Sequence, residues 1–553
     1  MEVWRFFSGM RESELSGTGC NAGLQPTTAL QRRAGAFAPL TVALEGFSTF
    51  QRGLPLGLVA IAAFCLVVNS SWTATPDSAL YLALGESLAR GDGYVFNGEP
   101  HTFVPPGYPL LVGAAARILG ADFLSYRILM ALMGVITALL GYLLVRRLAG
   151  PDTALFAGGL FVVNHTLLEN STMTLTDVPF ALFTLAALHA VLSATQGKRL
   201  IAWTVGAALV ACIPPLLRIN GTGVPIALAF SLFCGWQKVE AKRRWLLVGL
   251  FLLISLAPIA VWDLWKSTFP AGYGEGTYLD AVKGRSFTYQ IWTIADAFWG
   301  YFDEMNYALT GVRIKTGFLE LIVPLVAFAG MLSAWRGGDR LLVPLTATQY
   351  CGLLLAAAGS RYVIFLLPAL YLFLGLGILD LCRWLSRRTP RPIIGSSVLR
   401  VAFVVLVMLN VGHNVGTVVQ ARSPLEANGA ETQRSQPFFV AARWLKAHDP
   451  EAQVLTTRSR MIHYLSGNRT LPLLRSGVPI DEMWVEDKAG IQDLMSKGKA
   501  KYLFSDYREA ALYAKVEDAL KGLGYRLEEI PDASSPPRYR LFRLIAPADR
   551  AGL

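Results

Sequence analysis

Two acids and two arginines stand where apolar runs begin or end. Asp77 lies between Pro76 and a helical pattern of leucines, with Tyr81 one helical turn further on. Asp177 opens a later apolar run in Thr176-Asp177-Val178-Pro179, Arg218 closes the run after it, and Arg361-Tyr362 opens another far downstream. A carboxylate held at a boundary between water and lipid can act as a general base toward a hydroxyl. The same position also has a purely structural use: aspartate directly ahead of a helix is a preferred N-cap, worth about 1 kcal/mol. Asp177 is an N-cap candidate on the same grounds. An arginine at the end of an apolar helix often only snorkels to headgroups, and Tyr81 is either an interface anchor or a substrate contact. The chemistry these residues can do depends on what brings them together.

The rest of the chain fixes the setting. Of 553 residues 53% are hydrophobic and only 16% charged, and the mean hydropathy is +0.42, which excludes an ordinary soluble protein. The net charge of +11 does not point to nucleic acid, because lysine and arginine cluster in short turns between apolar runs. The six cysteines form no CxxC or other metal-ligand spacing.

A bilayer core takes about 20 apolar residues of helix to cross. Eleven spans are expected on that measure, near 54–72, 123–148, 152–168, 176–196, 200–217, 221–237, 244–265, 316–335, 341–358, 361–381 and 396–418. Alternate loops test the count. Those holding Arg146 and Arg147, Lys198 and Arg199, Lys242 to Arg244, Arg336 and Arg340, and Arg383 to Arg391 are short and basic, while 73–107 has only Arg90 and 169–176 no lysine or arginine. Basic loops face the cytoplasm, so the N-terminus is expected inside and the tail outside a plasma membrane. Arg32, Arg33 and Arg52 before the first span agree.

Three parts follow. Residues 1–52 are expected to be a poorly ordered cytosolic extension, 53–420 a polytopic transmembrane domain, and 421–553 a small extracytoplasmic α/β domain. In the last, helices are predicted over 437–448, 460–466, 491–499 and 509–523 and strands over 453–457, 501–505 and 538–544. It carries no catalytic motif and reads as a structural or substrate-presenting module.

The first outer loop is the most informative stretch. Leu80, Leu84 and Leu88 recur every four residues, which predicts an interfacial helix with its leucines in lipid. A Gly91-Asp92-Gly93 turn ends it, Pro105-Pro106-Gly107-Tyr108-Pro109 breaks the chain again, and Leu110 to Leu119 is too short to span. The segment from Lys266 to Lys315, with Glu275, Asp280, Asp303, Glu304 and Arg313, is expected to be a long outer loop, either a lid or a solvated connection.

The order of Pro76-Asp77-x-x-x-Tyr81, Gly91-x-Gly93-Tyr94 and Pro105-Pro106-Gly107-Tyr108-Pro109-Leu110 after an apolar span resembles the first outer loop of bacterial GT-C glycosyltransferases. The branch it resembles includes the dolichyl-phosphate-mannose protein mannosyltransferases, the aminoarabinose transferases and the rhizobial galacturonosyltransferases. Leu175 to Pro179, Arg218, Arg361-Tyr362 and Pro368 continue the pattern, over roughly residues 54–381. One departure stands out: Asp77-Ser78 occupies a place where protein mannosyltransferases show Asp-Glu. The resemblance implies transfer of a hexosyl or pentosyl group from a polyprenyl-phosphate carrier to an acceptor hydroxyl on a lipid, polysaccharide or protein outside the membrane, with inversion, as in glycosylation of the cell envelope. It implies Asp77 as catalytic base, Arg218 and Arg361 at the donor phosphate, and Tyr81, Asp177 and Tyr362 as further substrate-binding residues. No cofactor and no obligatory metal are expected, His101 being the loop's lone histidine. Two other readings rank behind: a membrane scaffold with an external partner-binding domain, and a secondary transporter, whose ionisable residues would sit nearer the midplane.

Overall fold

A computed structural model describes residues 49–196, 199–269, 287–313, 318–339, 341–354, 359–388, 395–422, 430–473, 484–506, 509–534 and 539–547. The N-terminal extension before residue 49 and the acids Glu275 and Asp280 lie outside the described residues.

The protein is mainly helical. In chain order the helices that build the membrane part are α1 (Thr49–Leu66), α2 (Pro76–Arg90), α3 (Gly107–Leu119), α4 (Phe123–Ala149) and α5 (Pro151–Val162, interrupted by a π turn). They continue with α6 (His165–Ser171), α7 (Asp177–Gln196), α8 (Leu200–Leu217), α9 (Ile219–Gly235), α10 (Ala241–Lys266), α11 (Phe287–Thr310), α12 (Phe318–Arg336), α13 (Leu342–Leu353), α14 (Ser360–Ser386) and α15 (Gly395–Arg422). Six stretches among the described residues are long and apolar enough to cross a membrane, in α4, α7, α8, α10, α14 and α15. The other expected spans fall on shorter, interrupted or partly described helices.

Two expectations are corrected here. The leucines of the first loop do not lie in lipid: Leu80 and Leu84 are fully buried and Leu88 is half-buried, because α3 and the tail helix Ser459–Ser466 pack over α2. The outward apolar face belongs instead to α3, whose Leu110, Ile118 and Leu119 are exposed. The second correction concerns 266–315, much of which is the 24-residue helix α11 rather than a loop. Its outer face carries exposed Ile291, Trp292 and Trp299, an apolar surface with no call for water.

A polar knot ties the helices behind the site. Asn164 donates to the Ala308 carbonyl at 2.7 Å and to the Tyr371 hydroxyl at 2.9 Å, and the Asn410 amide oxygen accepts the His165 N–H at 3.0 Å. Such buried groups are costly unless paired, so the knot holds α6, α11, α14 and α15 in one arrangement.

The tail folds as α16 (Ala430–His448), β3 (Gln453–Thr456), α17 (Ser459–Ser466), β4 (Thr470–Pro472), α18 (Lys488–Lys497), β5 (Ala500–Asp506), α19 (Ala510–Gly522), β6 (Arg526–Glu529) and β7 (Tyr539–Ile545). The five strands form one sheet in the order β4-β3-β5-β7-β6, parallel among β4, β3 and β5 and antiparallel beyond. Successive residues of β5 serve opposite faces. Tyr502 and Phe504 join the core that runs through α16 and α17 into the membrane part, and Leu503 joins a second core with α18 and α19.

Candidate active site

The start of α2 is built by Thr75, Pro76 and Ser78. Thr75 is the N-cap: its hydroxyl accepts the Ser78 N–H at 3.1 Å, and the Ser78 hydroxyl accepts the Thr75 N–H at 3.1 Å. Pro76 occupies the first helical position, where its missing donor costs nothing. The capping role expected of Asp77 therefore passes to Thr75, because cap geometry needs an extended residue and Asp77 is already inside the helix. Ser78, which stands where the resemblance shows glutamate, completes the reciprocal cap and also accepts from the Trp72 indole at 3.1 Å. Asp77 is left with its carboxylate 49% exposed in the first turn, where the helix dipole favours negative charge.

Tyr81 lies one turn on. Its ring meets buried Tyr108 edge-on at 5.1 Å, and its hydroxyl shares a hydrogen bond with Thr176 just ahead of α7. Burial pushes this phenol well above its ordinary value, with the negative charge of Asp77 adding to the effect, so Tyr81 stays protonated. Gly107 explains how the Pro-Pro-Gly-Tyr-Pro kink comes so close: a Cβ there would stand 2.6 Å from the Leu216 carbonyl oxygen, two residues before Arg218.

Asp177, the first residue of α7, is buried and forms an ion pair with Arg218, which follows the last turn of α8 in extended conformation. The Arg218 guanidinium lies 4.7 Å from the Tyr362 ring centroid. Arg361 also donates to the Tyr362 hydroxyl at 2.8 Å, with its guanidinium 4.8 Å from that ring's centroid. Arg361 is within electrostatic reach of both Asp77 and Asp177. Asp77, Tyr81, Asp177, Arg218, Arg361 and Tyr362, drawn from four separate segments, thus converge on one place. The two arginines differ in their commitments. Arg218 is paired with a buried carboxylate, whereas Arg361 has no carboxylate partner among the described residues.

Three contributors carry no signal that a motif would reveal. Glu304 of α11 accepts the Ser360 N–H at 2.7 Å, and so holds the 3₁₀ turn Ser360–Leu366 that presents Arg361 and Tyr362. Arg313 bridges Glu304 at 2.9 Å and Asp303 at 3.0 Å. Arg460, from α17, donates to Asp77 at 2.9 Å.

The tail domain docks directly on the first loop. Val95–Phe96 (β1) and Glu99–Pro100 (β2) form a hairpin whose Asn97-Gly98 turn has φ of 58° and 86°, the mirror-image turn that asparagine and glycine favour. Asn97 exchanges two 2.8 Å hydrogen bonds with Thr470 of β4, and its N–H donates to His463 at 3.2 Å. Glu86 accepts the hydroxyls of Tyr126 at 2.8 Å and Tyr464 at 3.0 Å. His101 is buried within the loop, and no group of three or more potential metal ligands occurs among the described residues.

Known proteins resemble this chain in sequence and fold. Residues 103–262 match the family model of dolichyl-phosphate-mannose-protein mannosyltransferase. An uncharacterized protein of Aquifex aeolicus (strain VF5) is 29% identical over 125 residues, which cover 22% of this chain and about a quarter (25%) of that relative. Among solved structures, ArnT from Cupriavidus metallidurans bound to undecaprenyl phosphate superposes with a TM-score of 0.54 at 11% identity, over 90% of this chain and 98% of that one. The archaeal oligosaccharyltransferase AglB from Archaeoglobus fulgidus, in complex with an inhibitory peptide and a dolichol-phosphate, gives 0.51 at 14% identity, over 91% and 75%. With the family match inside the membrane part and the fold shared along nearly the whole chain, the protein is a polytopic membrane protein with the fold of these ArnT and AglB structures.

Proposed function

We propose that this protein transfers a sugar from a polyprenyl-phosphate carrier to an acceptor hydroxyl at the outer face of the membrane. The observation that carries the reading is the convergence of Asp77, free of any capping duty, with Arg361, a cation without a carboxylate partner among the described residues. Asp77 takes the proton of the acceptor hydroxyl as its oxygen attacks the anomeric carbon. The bond from that carbon to the phosphate oxygen breaks on the opposite face, its electron pair leaves with the phosphate, and the configuration inverts. Arg361 meets the charge developing on the departing lipid phosphate, and its planar fork suits two of those oxygens. Arg218 adds positive charge while Asp177 and the Tyr362 ring hold it in place. Tyr81, a neutral phenol, offers a hydrogen bond to sugar or acceptor. No step uses a cofactor. The N-terminus then lies in the cytoplasm and the tail domain outside, on the side of the first loop to which it is bound.

The test uses membranes containing the full-length protein and radiolabelled polyprenyl-phosphate sugars. Wild-type membranes should discharge at least one labelled carrier onto a larger acceptor, and Asp77→Asn membranes should not. Undiminished transfer by Asp77→Asn would remove Asp77 as the base.

A further inference from the structure

We infer that the tail domain is part of the catalytic apparatus, with Arg460 as a positioning residue for Asp77. This rests on the proposed role of Asp77 as base.

Arg460 and Asp77 are 383 residues apart in sequence and meet at 2.9 Å, with side chains 26% and 49% exposed. A pair so open to solvent adds little to stability, too little to explain it as an anchor. The anchoring is done elsewhere. Tyr464, one turn further along α17, donates to Glu86, and the Trp72 ring is stacked on Phe123 and edge-on to Tyr464 and Phe439. The Asn97 turn is held by Thr470 and His463. Docking stands without Arg460.

The neighbouring arginine shows what a structural one looks like here. Arg458 is turned into its own domain, donating at 2.8 Å to fully buried Asp506 and at 2.9 Å to Glu509. Arg460, two residues on, is turned away from those acids to the one carboxylate of the first turn of α2, with its guanidinium 5.8 Å from the Phe103 ring centroid. Only its Nη1 is engaged with Asp77, at Oδ1. Held there, Asp77 has one oxygen fixed by Arg460, and the rotation of the carboxylate about its own stem is restricted. A base constrained in this way is oriented before the acceptor arrives, which is the form of assistance that raises turnover rather than binding.

The full-length enzyme in membranes provides the test. Arg460→Ala should lower kcat about 30-fold or more while the donor KM stays within twofold. Arg460→Lys should recover part of the loss, and added guanidinium should recover part of it in Arg460→Ala only. Arg460→Ala placed in an Asp77→Asn background should cause no further loss of the residual rate, because a residue acting through Asp77 has nothing left to orient. If Asp77→Asn is inactive but Arg460→Ala turns over like wild type, the positioning role is wrong and the base assignment stands. If Asp77→Asn is active, the base assignment itself fails. If Arg460→Ala loses activity together with docking, measured as new protease cleavage between residues 423 and 473, or if its losses add to those of Asp77→Asn, Arg460 is structural and the inference falls.

Discussion

The Thr75 hydroxyl and the Ser78 N–H close the first turn of α2 at 3.1 Å, so the carboxylate between them in sequence is not needed to start the helix. Structure and chemistry at this turn are therefore separable by mutation. Thr75→Ala should cost about 1 kcal/mol of stability and leave the turnover of the folded fraction intact. Asp77→Asn should stay within about 1 kcal/mol of wild type, since it forgoes only a dipole contact and an exposed ion pair, while transfer is lost. Thermal unfolding in detergent, set beside transfer rates in membranes, gives both numbers.

The two arginines should fail in different ways. Arg218→Ala strands the buried Asp177 carboxylate, and breaking such a pair costs about 3–5 kcal/mol, so the expected outcome is poor folding. The double variant Arg218→Met, Asp177→Asn should fold better than Arg218→Ala. Arg361→Ala leaves no carboxylate behind among the described residues. Its expected signature is a normal melting temperature with kcat/KM for the donor lowered roughly 10- to 100-fold, mainly through kcat, the scale of one charge-assisted hydrogen bond.

Gly107→Ala tests the approach of the first loop to α8. A methyl group would meet the Leu216 carbonyl oxygen at 2.6 Å, and backbone cannot turn aside as a side-chain tip can. The loop must shift, at about 1–3 kcal/mol, and Arg218 moves with it. Reduced kcat together with a lower melting temperature is expected. A variant indistinguishable from wild type would show that this contact does not position the site.

Much of this was legible in the sequence, and the limits have physical causes. The kinked loop, its ending turn and the acids and arginines at helix ends are local features, set by proline, glycine and the length of apolar runs. In the tail, every predicted helix and strand has its counterpart, because alternation and helical periodicity are local too. The short strands β4 and β6 were not legible; three or four residues are too few to show a period. The lipid-facing assignment of Leu80 and Leu84 failed for another reason: periodicity marks an apolar face without saying whether lipid or protein covers it. Asn97-Gly98 could have been read as a hairpin from its residues alone. Arg460 could not, since nothing near it in sequence points to a partner in α2.

The same hairpin gives a pH dependence. Burial pushes the His463 imidazole below its ordinary 6.5, Arg90 and Arg469 add to the shift, and the Asn468 carbonyl opposes it. In the neutral ring Nε2 accepts the Asn97 N–H while Nδ1 faces the Asn468 carbonyl at 2.8 Å. Since the folded group binds a proton less readily than the unfolded one, its stabilising contribution is complete above about pH 6.5. It is lost as the pH falls from there toward the folded value. The melting temperature should drop between pH 7 and 5, and His463→Gln should show a smaller drop.

The span between Asp77 and Arg460 also sets an order of events in the cell. The first loop emerges from the ribosome early and its partner arginine 383 residues later, a wait of roughly 20–75 s at the usual ~5–20 residues per second. Throughout that interval the membrane helices can insert and pack, yet the carboxylate has nothing to hold it. On the proposed role of Arg460, an enzyme assembled in this sequence reaches full rate only after the last domain has folded against the first loop, so a chain stalled or truncated before the tail should turn over no faster than Arg460→Ala.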